Sequence, residues 1–128
     1  MSLANAHISV NIAVTDMDRA MGFYRDTLGL KTVPIAPWLS MVTANDGSML
    51  MLAIRQKAGS DEDSANFTVA DIQATMKELK SKGVQFHDYD LPMLKTVNQI
   101  AEASGFQAAW FKDSEGNTLQ INQSPASS

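Results

Sequence analysis

Two eight-residue stretches of this chain are near-copies of one another. Ser9-Val10-Asn11-Ile12-Ala13-Val14-Thr15-Asp16 and Ser64-Ala65-Asn66-Phe67-Thr68-Val69-Ala70-Asp71 share four of eight positions, the Ser, Asn, Val and Asp, at a constant offset of 55 residues (64 − 9). Each stretch alternates as a strand does and ends in an aspartate suited to accept N–H groups from the first turn of a helix. Each then leads into an amphipathic segment closed by a glycine, Gly29 or Gly83. A chain that writes one strand–helix programme twice is constrained to a duplicated fold.

The rest of each half completes the unit. His7 to Val14 reads as a strand, and Asp16 caps a helix with Met17, Met21, Tyr24 and Leu28 along one side. Lys31 to Val33 and Trp38 to Thr43 are expected strands. Asn45-Asp46-Gly47-Ser48 is a hairpin turn signal, and Met49 to Arg55 follows as a strand that is apolar on both faces. Residues 56–63, with their acidic run Asp61-Glu62-Asp63, read as a solvated polar linker. In the second half a strand from Ser64 to Val69 precedes a helix capped by Asp71, carrying Ile72, Met76 and Leu79 and stopping at Gly83. Val84 to Tyr89 is expected as a strand. Residues 90–104 form a long connection with a helical turn around Gln99 to Ala103, a candidate lid or rim. Phe106 to Phe111 and Leu119 to Gln123 are strands around a tight turn from Asp113 to Asn117, and Ser124 to Ser128 is expected to fray.

The fold class is therefore α+β. Two βαβββ modules, about residues 7–55 and 64–123, make a single domain over 1–128, an open curled sheet around a cleft with helices outside.

Composition excludes several functions. The chain is 45% hydrophobic and 19% charged, as a soluble globular domain is, and has no cysteine for a disulfide, a zinc ribbon or a thiol nucleophile. Its ten Lys and Arg are scattered under a net charge of −4, which argues against nucleic acid as a partner. The longest apolar run, Met49 to Ile54, is too short to span a bilayer, and no signal-peptide pattern opens the chain, so a cytoplasmic location is expected.

Three motifs resemble the vicinal oxygen chelate superfamily, which groups glyoxalase I, extradiol dioxygenases and the fosfomycin- and bleomycin-resistance proteins. They are Asn11-Ile12-Ala13-Val14-Thr15-Asp16-Met17 with Phe23-Tyr24-Arg25-Asp26-Thr27-Leu28-Gly29-Leu30, then Phe67-Thr68-Val69-Ala70-Asp71 with Leu79 and Gly83-Val84, then Trp110-Phe111-Lys112-Asp113-Ser114-Glu115-Gly116-Asn117-Thr118-Leu119. The resemblance implies metal ligands at Ser9 and Ser64, where metal-using members carry histidines, and at Gln120, where they carry a glutamate. A fourth carboxylate position falls about at Met51. Un-ionised hydroxyls and a neutral amide bring no charge to a dication, so no metal and no other cofactor is expected. His7 and His87 are the only histidines, each read as a surface or hydrogen-bonded strand-end residue.

Alternation from Ser9 and Ser64 assigns the cleft lining as Ser9, Asn11, Met49, Met51, Ser64, Asn66, Trp110, Gln120 and Asn122. In the family an aromatic residue at the Trp110 position commonly touches the ligand. A neutral hydrogen-bonding floor beside an indole and two thioethers suits a neutral or cationic organic molecule with a flat or apolar part. These groups could equally bond one another and fill a small cavity. No catalytic residue is assigned, because neither serine has an adjacent base; His7 is about 7 Å along the strand from Ser9. The expected function is metal-free binding or sequestration of a small organic ligand by a homodimer. The alternatives are a lyase, isomerase or dioxygenase of the glyoxalase type with an unconventional or absent metal site, and a structural or regulatory module. Whether the modules pair within or between chains is open.

Overall fold

A computed structural model describes residues 2–125, which fall into two compact units that divide between Ala58 and Gly59. In the first unit, β1 (Asn11–Val14) runs parallel to β4 (Met49–Ile54). β4 pairs antiparallel with β3 (Leu39–Thr43), and β3 with β2 (Lys31–Ala36), so the sheet order is β1-β4-β3-β2. Asp16 caps α1 (Met17–Gly22) by accepting the Arg19 N–H at 3.0 Å. From Phe23 to Thr27 the helix widens to a π-turn, with the Leu28 N–H donating to the Phe23 carbonyl five residues back. Gly29, at φ 75°, then ends it in the left-handed region, where the Leu30 N–H returns to the Tyr24 carbonyl. Ala20 and Tyr24 are fully buried, together with Ile12, Val14, Val42 and Leu52 of the sheet.

The second unit repeats this order. β5 (Ser60–Thr68) runs parallel to β10 (Asn117–Gln123), which pairs antiparallel with β9 (Phe106–Lys112), and β9 with β8 (Ala101–Ala103). A small hairpin of β6 (Asp90–Leu91) and β7 (Leu94–Lys95) lies between α2 (Ile72–Ser81) and β8. Asp71 caps α2 through the Ala74 N–H at 3.0 Å. The core gathers Ile72, Met76 and Leu79 of the helix with the odd-numbered strand positions Ala109, Phe111, Leu119 and Ile121. Period-two alternation leaves the even-numbered positions of β9 and β10 on the opposite face. No helix among the described residues is long and apolar enough to cross a membrane.

Four local expectations are corrected. Residues 7–10 are not strand: the Met51 N–H still donates to the Val10 carbonyl at 2.8 Å, but the ladder begins at Asn11, and Ile8 is left 83% exposed. Residues 60–63 are strand rather than linker, because the turn before β10 reaches out to them. The Thr118 hydroxyl donates to the Ser60 carbonyl at 2.7 Å, and the Gly59 N–H to Asn117 Oδ1 at 3.1 Å. Val84 to Tyr89 forms only an isolated bridge, Phe86 to Phe111, since the chain leaves the edge of β9 for the β6–β7 hairpin and returns at Ala101. There is no helical turn at Gln99 to Ala103. Asn98 and Gln99 have φ of 53° and 69°, two left-handed residues that close a tight turn between Val97 and Ile100. The expectation for the chain end lies, over 126–128, outside the described residues.

Candidate functional site

The most organised polar surface lies on the even-numbered face of the second sheet, and an irregularity of β5 creates it. Asn66 stands opposite Gln120, Ala65 opposite Leu119, yet Asp63 stands opposite Thr118, so Ser64 is squeezed out of register. Strict alternation from Asn66 would put Ser64 on the polar face and turn Asp63 away. The extra residue reverses this and brings the Asp63 carboxylate round to the face of Gln120 and Trp110.

Once there, Asp63 is held by two donors on one oxygen. Its Oδ2 accepts the Trp110 indole N–H at 3.1 Å and the Gln120 amide at 2.9 Å. Gln120 Oε1 in turn accepts from the Asn122 amide at 2.8 Å, and Asn122 Oδ1 from the Thr68 hydroxyl at 2.8 Å. Each amide donates at one end and accepts at the other, so the chain Thr68–Asn122–Gln120–Asp63 is polarised towards the carboxylate. The Trp110 ring meets Tyr89 edge to face with centroids 5.4 Å apart, and the Tyr89 hydroxyl is bonded to His87 Nδ1 at 3.0 Å.

The electrostatics follow this geometry. Tyr89 has its phenol pKa pushed above the usual value, first by burial and then by the negative charge of Asp63. Asp61, two residues away, is already committed: Lys112 Nζ lies 2.7 Å from its Oδ1 and lowers its pKa by hydrogen bonding and charge.

The expected lining residues fare differently. Asn66, Gln120 and Trp110 form one cross-strand row, with Asn122 beside them. Ser64 occupies the bulge. In the first unit Asn11 is opposite Met51, and Met51 opposite Met41, while Met49 Sδ lies 3.2 Å from His7 Nε2. Ser9 is exposed and outside the strand. The sequence reading missed Asp63 and Tyr89. A buried indole N–H needs an acceptor, and an aspartate directly before Ser64 was the available signal. A groove of about 750 Å³ between α2 and residues 95–107, lined by Lys77, Lys80 and Lys95, holds none of the expected residues.

The donor set does not suit a divalent metal. The two hydrogen-bonding ends of Gln120 are engaged by Asp63 and Asn122, Ser64 and Ser9 bring no charge, and no group of three or more His, Cys, Asp or Glu among the described residues could hold an ion.

Comparison with known proteins places the chain. Residues 6–121 match the model of the Glyoxalase/Bleomycin resistance protein/Dioxygenase superfamily. An uncharacterized protein of Bacillus subtilis (strain 168), YurT, is 29% identical, covering 91% of this chain and 97% of its own. The antibiotic binding protein TnmS3 from Streptomyces sp. CB03234 has a similar fold, with TM-score 0.68, 21% identity, and coverage of 98% of this chain and 100% of its own. So does a lactoylglutathione lyase from Agrobacterium tumefaciens, at TM-score 0.66 and 20% identity over 93% of each chain. With a family match that runs through both repeats, this chain belongs to the Glyoxalase/Bleomycin resistance protein/Dioxygenase superfamily.

Proposed function

We propose that this protein binds a small organic molecule without a metal, on the face of the second unit that carries Asp63, Trp110, Gln120 and Asn122. The observation that carries the reading is the polarised chain of side-chain hydrogen bonds ending on Asp63 beside an aromatic pair. A fixed acceptor next to flat apolar rings orients a ligand. The antibiotic-binding relative supports binding as a use of this fold. The working form is a homodimer in this reading, supported by Ile35 of β2 and Trp38 of the turn that follows it, which stand 55% and 61% exposed.

The test is a thermal-shift screen of planar aromatic compounds and antibiotics against the wild type, Gln120→Ala and Trp110→Ala. At least one compound is expected to raise the wild-type Tm by several degrees, with the shift reduced in both variants. A screen in which no compound stabilises the wild type overturns the reading.

A further inference from the structure

Resting on that reading, we propose that the ligand of this face is an organic cation, its charged nitrogen beside the open Oδ1 of Asp63 and its flat body against the half-buried Tyr89 ring next to Trp110.

The argument begins with how Asp63 is presented. A carboxylate accepts about four hydrogen bonds, and both that reach Asp63 converge on Oδ2. Oδ1 accepts none from the described residues. The indole and the amide thus hold the group at one oxygen, in a residue that is itself exposed.

Charge accounts for the sign of the partner. Lys112, the cation on the same face of β9, is bonded to Asp61 Oδ1 and to the Ser60 carbonyl, so it balances Asp61 rather than Asp63. Among the described residues no ion pair reaches Asp63. The Thr68–Asn122–Gln120 chain points its donor end at the carboxylate. The negative charge is felt at the neighbouring Tyr89 hydroxyl. An anionic ligand would meet uncompensated repulsion here. A neutral one would leave the carboxylate unpaired.

The aromatic pair supplies the rest. Tyr89 and Trp110 pack edge to face, and Tyr89 is only half-buried, so part of the pair is open to a ligand. An exposed ion pair contributes little by itself and a reachable ring adds a comparable amount. The expected preference for a cation over its neutral counterpart is therefore about fivefold.

The experiment uses N-methylquinolinium and quinoline, which share shape but differ in charge near pH 7.5. Titrations are followed by calorimetry and by the Trp110 indole N–H signal in two-dimensional NMR, assigned with Trp38→Phe. The expected result is that both probes move the Trp110 signal, that the cation binds about fivefold tighter, and that Asp63→Asn brings the ratio of the two affinities to about one. The preference is also expected to shrink as salt is raised from 20 to about 300 mM. Equal affinities for the two probes, or a preference that survives in Asp63→Asn or at high salt, overturn the cation assignment and leave the binding face standing. If neither probe moves the Trp110 signal, the binding face fails, and the cation assignment with it.

Discussion

The indole N–H of Trp110 donates to Oδ2 of Asp63 across 3.1 Å, joining residues 47 positions apart in the chain. Trp110 is 8% exposed, so without this acceptor its N–H would be buried and unpaired. Replacing it with phenylalanine keeps most of the ring and deletes the donor. Trp110→Phe is expected to cost about 1.5 kcal/mol and Trp110→Ala about 3 kcal/mol or more, read from urea unfolding. Identical urea midpoints for the wild type and Trp110→Phe would show that the bond contributes nothing.

Tyr89 reports the same carboxylate through its titration. Its pKa is raised above the usual 10.0, so between its unfolded-state and folded-state values the folded protein keeps a proton that the unfolded chain has released. The stability linked to Tyr89 is complete below about pH 10 and is lost as pH climbs through the folded-state pKa. Carbon-13 NMR of the tyrosine ring carbons separates Tyr89 from the fully buried Tyr24. Asp63→Asn is expected to lower the Tyr89 midpoint without restoring it fully, because burial remains the larger cause. An unchanged midpoint would mean that Asp63 does not act on the hydroxyl.

Two glycines with similar backbones differ in their surroundings. Gly59 has φ 102°, and a Cβ there would lie 3.3 Å from the Glu115 carbonyl oxygen. Gly83 has φ 93° with nothing within 4 Å. Gly83→Ala is expected to cost about 1 kcal/mol of backbone strain. Gly59→Ala adds a collision with backbone and is expected to cost at least about twice as much. Thermal unfolding of the two variants compares them directly, and equal losses would rule out a role for the close approach.

The caps carry a smaller and more local weight. Asp71 accepts the Ala74 N–H at 3.0 Å, as Asp16 accepts that of Arg19. Asp71→Ala is expected to destabilise the protein by about 1 kcal/mol, and Asp71→Asn by much less, since asparagine also caps. Equal losses in both variants, measured by chemical denaturation, would place the contribution in the charge instead of the hydrogen bond.

Both caps, the glycine stops at Gly29 and Gly83 and the turn at residues 45–48 stand where the sequence reading put them. So do both long strands that close each module, although Asn117 and Thr118 extend the last one. Each of these signals is local. An aspartate caps the turn that follows it, a glycine supplies the positive φ of its own position, and an apolar residue every second place marks one face of its own strand. The same locality explains the misses at residues 60–63 and 84–104. There the outcome depends on which strand edge is within reach, and Asn98 and Gln99 carry no glycine to announce their left-handed turn.

The sequence by itself determined the duplicated α+β plan and the family, because strand period, capping and turn chemistry are settled between near neighbours and were written twice. Only the tertiary structure decided that Asp63, not Ser64, faces Trp110. The register of β5 is set by hydrogen bonds to β10 more than fifty residues away, and one residue squeezed out of that register exchanges which side chain meets the site.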